Sequence, residues 1–505
     1  MRSPCFPLAL FAAASAVTTA SAQQPVTFNQ HVAPILLRSC APCHRPGGGA
    51  PFSLLTFEDA RRRGKTMVRA TKARFMPPWH PVEGHGSFVG ERRLTAAEIA
   101  TLERWVADGR PEGPGQPPAA PKFPEGWQLG KPDLVVTMPK AFPVPASGPD
   151  IYRNFVVPLN LDRDRWVTAI EVRAGSRQVL HHIIFGIDTQ GAARRRDGQD
   201  GKPGFDGMDG GAGSRGGNLG TSTAGLGGWA VGGQPQHLPM GLARKLPKGA
   251  DLILRSHLHP SGKAEFEQTT LGLYFTDTPP AHTMVGLQLP PAFGFAAGID
   301  IPAGAKQFTI RDAFTLPVDA SLLTVGGHAH YLCRTMQVKV TPPGGEPRSV
   351  FYIDNWAFNW QNRYQYREPV ALRRGTKIEV TLTYDNSKDN PANPFDPPRR
   401  VRWGLQSTDE MGSVTLLMIA RRERDSGRLE RAIRSAARSS LRSGVAEHPE
   451  SLLGSLVSRI KMLDKNGDGK IDQSEIPAGW RRYARRFDTN GDGTLDAAEI
   501  EAIGR

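Results

Sequence analysis

Cysteine and long hydrophobic runs are both scarce in this sequence. Its 505 residues include four cysteines, Cys5, Cys40, Cys43 and Cys333. No stretch reaches the roughly 20 consecutive apolar residues of a transmembrane helix, so we expect no membrane-spanning segment. Cys40 and Cys43 belong to one motif, described below, which leaves Cys333 without a partner. We expect Cys333 to be a small buried side chain.

The N-terminus has the pattern of an export signal. Arg2 precedes a short apolar run that starts at Leu8, and the run closes with the small residues Ser21 and Ala22. We therefore predict a signal peptide over residues 1–22 and a mature protein in the periplasm or outside the cell. In that compartment the net charge of +14 indicates an acidic redox partner, an anionic surface or an acidic substrate, not nucleic acid.

A C-x-x-C-H motif follows the predicted signal. This spacing is typical of covalent haem attachment, in which Cys40 and Cys43 bind the haem vinyl groups and His44 becomes an axial iron ligand. Met76 is the preferred second axial ligand, because a thioether favours reduced iron and the flanking prolines restrain its backbone. His80 is the alternative. The motif predicts one haem c and single-electron chemistry.

Composition divides the chain into several domains, as its length requires. Thr95 and Glu98 form a capping box before an apolar helix face, so the haem region is expected to be a small all-α domain. Short β-rich runs separated by Gly, Pro and Asn dominate the middle, which predicts two antiparallel β-sandwiches. The predicted parts are 23–113 (haem domain), 114–131 (Pro-rich linker), 132–283 and 284–420 (sandwiches), 421–450 (basic helical linker) and 451–505 (a small last domain). A Gly-rich stretch at 196–233 is expected to be a long flexible loop.

The last domain contains two twelve-residue loops that resemble EF-hand calcium loops. Their oxygen-bearing residues recur in register, and Gly469 and Gly493 lie at the turns. The loops start only 24 residues apart in sequence numbering, 464 to 488, which favours a structural role for calcium over a regulatory one. The predicted ligands of the two ions are Asp464, Asn466, Asp468, Lys470 (carbonyl), Asp472 and Glu475, and Asp488, Asn490, Asp492, Thr494 (carbonyl), Asp496 and Glu499.

The sandwich region contains histidines that suit copper. His328 and His330 form an H-x-H pair, which on a strand points both rings to one face, and Met411 can complete that site. His181 and His182 are adjacent, so they can share a metal only at a bulge or strand end.

Residues 132–420 resemble the copper type II ascorbate-dependent monooxygenases, the family of peptidylglycine α-hydroxylating monooxygenase and dopamine β-hydroxylase. The resemblance rests on His181-His182, Leu254-Arg255-Ser256-His257, His328-Ala329-His330 and Asp409-Glu410-Met411. It implies two jelly-roll-like sandwiches, each with one copper, on either side of a solvent-filled cleft. It also implies that His181, His182 and His257 hold the electron-transfer copper, with His259 as a competitor for His257. His328, His330 and Met411 would hold the oxygen-activating, catalytic copper.

The resemblance does not extend to the substrate positions. Peptide-hydroxylating members have an Arg and a Tyr where this chain has Gly326 and Thr415, so their peptide carboxylate clamp is not expected. The expected function is hydroxylation of an unknown organic substrate with O2, with electrons supplied through the fused haem by an external small reductant or donor cytochrome. Two alternatives are a haem electron carrier in which the sandwiches are a binding module, and a copper storage or sensing protein.

Overall fold

The computed structural model describes residues 25–124, 126–207, 226–231, 233–239, 241–449, 454, 457, 460, 461, 463, 464, 468–476 and 484–503. The predicted signal peptide and the middle of the Gly-rich stretch lie outside these residues. The chain divides into two compact units, Met1–Pro77 with Arg92–Lys122, and Pro78–Glu91 with Phe123–Arg505.

The first unit is helical in its described part. A π-helical turn at Phe28–Val32 leads into α1 (Ala33–Ser39), and α2 (Phe57–Lys72) and α3 (Ala96–Ala107) follow. Leu36, Leu102 and Trp105 are fully buried in its core. The predicted capping box forms at the start of α3, and Gly109 follows its end with a φ of +86°. These features agree with a small all-α domain, while haem attachment stays a prediction.

The second unit is mostly antiparallel β-sheet, as the sequence predicts. Its first set of strands forms sheets in the orders β6-β3-β9-β5-β7 and β1-β11-β4-β8, with a β10-β2 pair. Apolar side chains from both sheets share one core. The elements are β1 (Leu134–Thr137), β2 (Phe142–Val144), β3 (Ile151–Pro158), β4 (Arg165–Arg173), β5 (Leu180–Asp188), α4 (Ala192–Arg196), β6 (Phe205–Asp206), β7 (Gly227–Ala230), β8 (Arg244–Leu246), β9 (Asp251–Leu258), β10 (Glu265–Glu267) and β11 (Thr270–Thr276).

The second set of strands has a separate core. Its sheets have the orders β12-β21-β15-β18 and β14-β19-β16-β17, with a β13-β20 pair. Cys333 is fully buried in this core, as expected. The elements are β12 (Met284–Leu289), β13 (Asp300–Ile301), β14 (Phe308–Thr315), β15 (Ala320–Ala329), β16 (Cys333–Thr341), β17 (Arg348–Ile353), β18 (Arg363–Leu372), β19 (Lys377–Tyr384), β20 (Val401–Arg402) and β21 (Gly412–Ala420).

Residues 78–91 differ from the prediction, which placed them in the haem domain. They belong to the second unit, where Val82 N–H donates to the Tyr352 carbonyl and Val89 N–H to that of Gln365. Phe88 is 1 % exposed and lies in the second core. Burial of this large aromatic ring is the physical reason for the difference.

The basic helix is also more than a solvated linker. It forms α5 (Ser426–Glu447), and Leu429 and Ile433 on its apolar face are buried in the second core. A short α6 (Ala497–Ile503) ends the described chain. Among the described residues, no helix combines the length and apolar character needed to cross a bilayer.

The start of the Gly-rich stretch is held in place by a buried arginine. Arg153 on β3 is 1 % exposed and forms two 2.8 Å hydrogen bonds to Asp200. It also donates to Asp206 and to the carbonyl groups of Pro203 and Gly204. The segment at 197–207 is therefore fixed, contrary to the expectation of a flexible loop for this part.

We expect Arg153→Met to lower the free energy of unfolding by about 3 kcal/mol, because it leaves the partners of a buried cation unpaired. Thermal denaturation measures the loss. Lys306→Met, which removes an exposed ion pair with Asp389, is the control and should change little.

The Arg153 hydrogen bonds also make this contribution pH-dependent. They lower the pKa of Asp200 to about 2. A carboxyl group whose pKa is lower in the folded than in the unfolded protein stabilises the fold at pH values above its unfolded pKa. This stabilisation is lost as the pH falls towards 2. The difference between wild type and Arg153→Met should therefore shrink from pH 5 to pH 2. A constant difference would contradict this assignment.

Candidate metal centre

A bulge in β5 brings two adjacent histidines to the same site. Leu180 pairs with Leu258 on β9, and His182 pairs with His257, so His181 is the extra residue between them. A bulge changes the direction of the inserted side chain. His181 and His182 can therefore both approach His257, which regular strand alternation would forbid.

The three imidazoles present nitrogens to a common point. His181 Nδ1 lies 3.2 Å from His182 Nδ1 and 3.2 Å from His257 Nδ1. Their potential ligand atoms all lie within 4.8 Å of one another. Two nitrogens bound to one ion at about 2.0 Å in a tetrahedral arrangement lie about 3.3 Å apart, so this spacing fits a shared metal.

Contacts on the far side of the rings fix this orientation. Asp150 Oδ2 lies 3.3 Å from His257 Nε2, and Asp150 Oδ1 lies 2.6 Å from His259 Nδ1. His181 Nε2 lies 3.3 Å from the Phe358 carbonyl oxygen, and its ring stacks on Phe358. Such partners select the tautomer of a metal-bound imidazole. The structure thus brings His257 into the group and leaves His259, 56 % exposed, outside it.

Burial favours the uncharged form of two of these imidazoles, those of His181 and His182. Burial, and then repulsion from His257, lowers the pKa of His181 to about 3, and the same two causes lower that of His182. Asp150 is the charged group beside them. Burial raises the pKa of Asp150, but its hydrogen bonds with His257, His259 and Ser407 lower it by more. Neutral imidazoles are the form that binds metal.

The second predicted group lies at the end of β15. His328 Nδ1 lies 2.6 Å from Gln361 Oε1, and His330 Nδ1 lies 3.1 Å from the Asp409 carbonyl oxygen. Each Nδ1–H is donated, which leaves each Nε2 with a lone pair for a metal. The two ring centroids are 5.6 Å apart. Burial lowers the pKa of His328 to about 4 and also lowers that of His330.

Sheet register and a buried glutamate hold the backbone of Met411 beside this site. Ala329 pairs with Gly412 on β21, and the next positions in that register are His330 and Met411. Glu410 is fully buried and accepts backbone N–H bonds from His330 (2.6 Å), Met411 (2.8 Å) and Leu332 (2.8 Å). Glu410 therefore joins the two segments that bear the predicted ligands.

The two histidine groups are neighbours. The ring centroids of His182 and His328 are 6.2 Å apart, and Phe358 from the second set of strands stacks on His181 from the first. The resemblance implies copper sites on either side of a solvent-filled cleft. In this structure the rings of the two groups instead lie side by side.

The haem motif has the geometry expected of an axial ligand. Cys40 and Cys43 have thiol side chains, and His44 N–H donates to the Cys40 carbonyl at the end of α1. His44 Nδ1 lies 3.1 Å from the Phe52 carbonyl oxygen, which leaves Nε2 available for iron. These residues fit haem c.

The two candidates for the second axial ligand lie in different units. Met76 is half-buried after α2 in the first unit, and its N–H donates to the Ala70 carbonyl. His80 belongs to the second unit, where its ring centroid is 6.1 Å from that of Trp356. Burial lowers the pKa of His80 to about 4.

The calcium loops pair as EF-hand loops do. Ile471 and Leu495, the eighth residue of each loop, exchange two backbone hydrogen bonds of 3.0 and 2.9 Å. The first-position carboxylates of Asp464 and Asp488 accept N–H bonds from the turn glycines. Glu475 and Glu499 are buried, and Asn466 lies outside the described residues. The remaining predicted ligands, Asp468, Lys470, Asp472, Asn490, Asp492, Thr494 and Asp496, lie within these loops.

The residues that orient the histidines were not found from the sequence. The imidazoles are contacted by four residues, Asp150, Phe358, Gln361 and Asp409. Only Asp409 belongs to a motif that the sequence analysis identified. Asp150 precedes β3 and Gln361 precedes β18, so neither has a fixed spacing from the histidines. Only the folded chain brings them together.

Comparison with known proteins finds one family model that matches a part of the chain. The EF hand model matches residues 456–476 and 485–503, so the chain ends in an EF-hand region, which indicates calcium binding. No curated protein matches the chain.

Among solved structures, PNGF-II matches at 9 % identity and a TM-score of 0.25, with 57 % of this chain and 65 % of that chain covered. The chain thus spans less than two thirds of that protein. The Cowpea mosaic virus top component matches at 8 % identity and a TM-score of 0.27, covering 56 % and 90 %. Similarities this weak carry no conclusion.

We expect His257→Ala to remove one metal ion per chain, because it deletes one of three converging nitrogens, while His259→Ala retains full metal content. Copper per chain, measured by elemental analysis after loading and desalting, tests this. Equal copper in the two variants would contradict the ligand assignment.

We expect Glu410→Gln to destabilise the fold by about 1–3 kcal/mol, since the new amide group opposes backbone N–H donors in a buried site. The affinity of the His330 site for copper should fall as well. Thermal denaturation and copper content measure both effects, and the exposed Glu368→Gln on β18 is the control. An unchanged melting temperature would show that Glu410 does not join the two segments.

Proposed function

We propose that this chain is an exported copper-dependent monooxygenase that hydroxylates an organic substrate with O2 and receives electrons through a fused c-type haem. The observation that supports it most is the convergence of His181, His182 and His257 beside His328 and His330. These five imidazoles form two neighbouring groups, and contacts to the second ring nitrogen hold four of them, His181, His257, His328 and His330.

The donor set favours copper. Imidazole binds zinc, copper, iron and nickel, and affinity for such sites is highest for Cu(II). A thioether also suits Cu(I), and Met411 directly precedes Gly412, which pairs with Ala329 next to His330. The C-x-x-C-H motif in the same chain supplies a reason for a metal that changes oxidation state.

Copper, when bound, supplies the single-electron chemistry that couples O2 reduction to C–H oxidation. The reaction consumes O2, two electrons and two protons, breaks one C–H bond and releases the alcohol and water. The chain's own residues hold the imidazoles: Asp150 orients His257, and Gln361 and the Asp409 carbonyl fix His328 and His330 with Nε2 free. His257 and His330 are each only 2 % exposed, which keeps water away from these two rings.

The first unit would hold the haem through Cys40, Cys43 and His44, with Met76 as the preferred second ligand. The haem, when bound, passes one electron at a time, so an external donor must recharge it between the two deliveries. We assign the EF-hand region a structural role, because its two loops are joined to each other by the pairing of Ile471 with Leu495.

We expect two coppers and one haem per chain. Protein matured for c-type haem is loaded with copper, reduced and mixed with O2 while haem absorption is followed. Reduced haem should be reoxidised quickly only in the copper-loaded protein, and His328→Ala should abolish this effect. The matched control is His259→Ala.

The other outcomes separate the alternatives. Haem without copper after loading would leave an electron carrier. Two coppers without copper-dependent reoxidation or oxygen consumption would leave a copper storage or sensing protein.

A further inference from the structure

One loop contacts ligands of both histidine groups. The loop at residues 356–361 lies between β17 and β18. Its Trp356 and Phe358 are 4 % and 8 % exposed, so these rings are packed into the fold. The Trp356 N–H group donates to the Arg334 carbonyl on β16 (2.9 Å), which fixes the start of the loop. The loop is therefore held against the second set of strands.

The middle of the loop touches the first histidine group. His181 Nε2 lies 3.3 Å from the Phe358 carbonyl oxygen, and the two rings stack with their centroids 4.4 Å apart. A carbonyl oxygen only accepts hydrogen bonds, so this contact is favourable when His181 carries its proton on Nε2. The lone pair is then on Nδ1, the atom that lies 3.2 Å from the Nδ1 atoms of His182 and His257. The Phe358 carbonyl thus selects the metal-binding tautomer of His181.

The end of the loop touches the second histidine group through one amide side chain. Gln361 Oε1 lies 2.6 Å from His328 Nδ1 and accepts its proton. Gln361 Nε2 donates to the Phe358 carbonyl (3.2 Å), the same oxygen that faces His181. Because an amide side chain accepts at its oxygen and donates at its nitrogen, one orientation of Gln361 satisfies both neighbours. His328 keeps the Nε2 lone pair for a metal.

These contacts form a continuous hydrogen-bonded chain between the two groups. Its members, in order, are His181, the Phe358 carbonyl, the Gln361 amide and His328. A proton on the wrong nitrogen at either end would place two lone pairs face to face and break the chain. When a metal takes the lone pair at one end, the tautomer of that histidine is fixed. The intact chain then favours the metal-binding tautomer at the other end.

The Trp356 indole adds a contact to the second group. Its Nε1–H donates to the His330 carbonyl (3.1 Å). Gly327 gives the indole room, because a Cβ there would clash with the Met336 sulfur and lie 3.4 Å from the Trp356 ring. The loop therefore contacts both histidines of the second group, one through Gln361 and one through Trp356.

We propose that the loop at residues 356–361 couples the two metal sites, so that copper bound at either histidine group raises the affinity of the other group for copper. Phe358 and Gln361 are positioning residues, because they act through His181 and His328. This inference rests on the two copper sites of the proposed function and adds a property to them. A chain with one copper stores only one of the two electrons that hydroxylation consumes. Coupling favours chains with two coppers over such half-loaded chains.

Copper titration of the full-length, haem-matured protein in calcium-containing buffer measures the coupling. His328→Ala and His257→Ala each leave one site intact, and each gives one association constant. For independent sites, the product of the two wild-type association constants equals the product of these single-site constants. We expect the wild-type product to be larger by about 5- to 150-fold, the usual range for coupled sites.

Gln361→Glu separates the link between the sites from a local role of this residue. Its carboxylate still accepts the His328 Nδ1–H, but it cannot donate to the Phe358 carbonyl. In this variant the ratio of the two products should fall to about one, while copper still binds at the second group. Gln361→Met removes both contacts and should also lower copper affinity at that group by about 10- to 100-fold. The control is Asn359→Met, which removes an exposed amide of the same loop and should leave the ratio unchanged.

Circular dichroism and thermal denaturation show whether the variants are folded. A ratio of one in wild-type protein that binds two coppers would overturn the inference and leave the proposed function intact. A wild-type ratio in folded Gln361→Glu would also overturn it, since the coupling would then not pass through the loop. A raised ratio in a protein without copper-dependent haem reoxidation would support the coupling and refute the proposed monooxygenase.

Discussion

The β-bulge at His181 is the constraint on which the candidate metal centre depends. Adjacent residues of a regular strand point to opposite faces, so two neighbouring histidines cannot share a ligand site without it. The extra residue between the Leu180–Leu258 and His182–His257 pairs removes that restriction locally. Because both flanking pairs are in register, the distortion stays confined to the metal site and the core behind β5 is intact.

Buried carboxylates hold the ligands that the bulge and the sheet register bring together. Asp150 contacts His257, His259 and Ser407, and so connects the first set of strands to the segment before β21. Glu410 connects that same segment to the residues that follow β15 through the backbone N–H groups of His330 and Leu332. Desolvated carboxylates of this kind are stable only when their acceptor capacity is used. The geometry of both histidine groups is thus tied to the same stretch, 407–411.

Local patterns in the sequence predicted the elements that depend on nearby residues. The capping box at Thr95 and Glu98, the alternating strands and the need for a bulge at His181 all follow from spacing of a few residues. Placement of segments over long distances did not follow. The sequence analysis placed residues 78–91 in the haem domain. It could not predict the aromatic core that buries Phe88, because that core exists only in the folded sheet. Asp150 and Gln361 were missed for the same reason, since their roles depend on contacts with residues 107 and 33 positions away.

The proximity of the two histidine groups changes what the fused electron donor has to do. With sites on opposite sides of a wide cleft, each metal would need its own route for electrons. Here the His182 and His328 ring centroids are 6.2 Å apart, and the ring of Phe358 stacks on His181. In the proposed function, an electron delivered to either metal therefore has a short path through contacting side chains to the other. The haem then needs to deliver electrons to only one of the two metals.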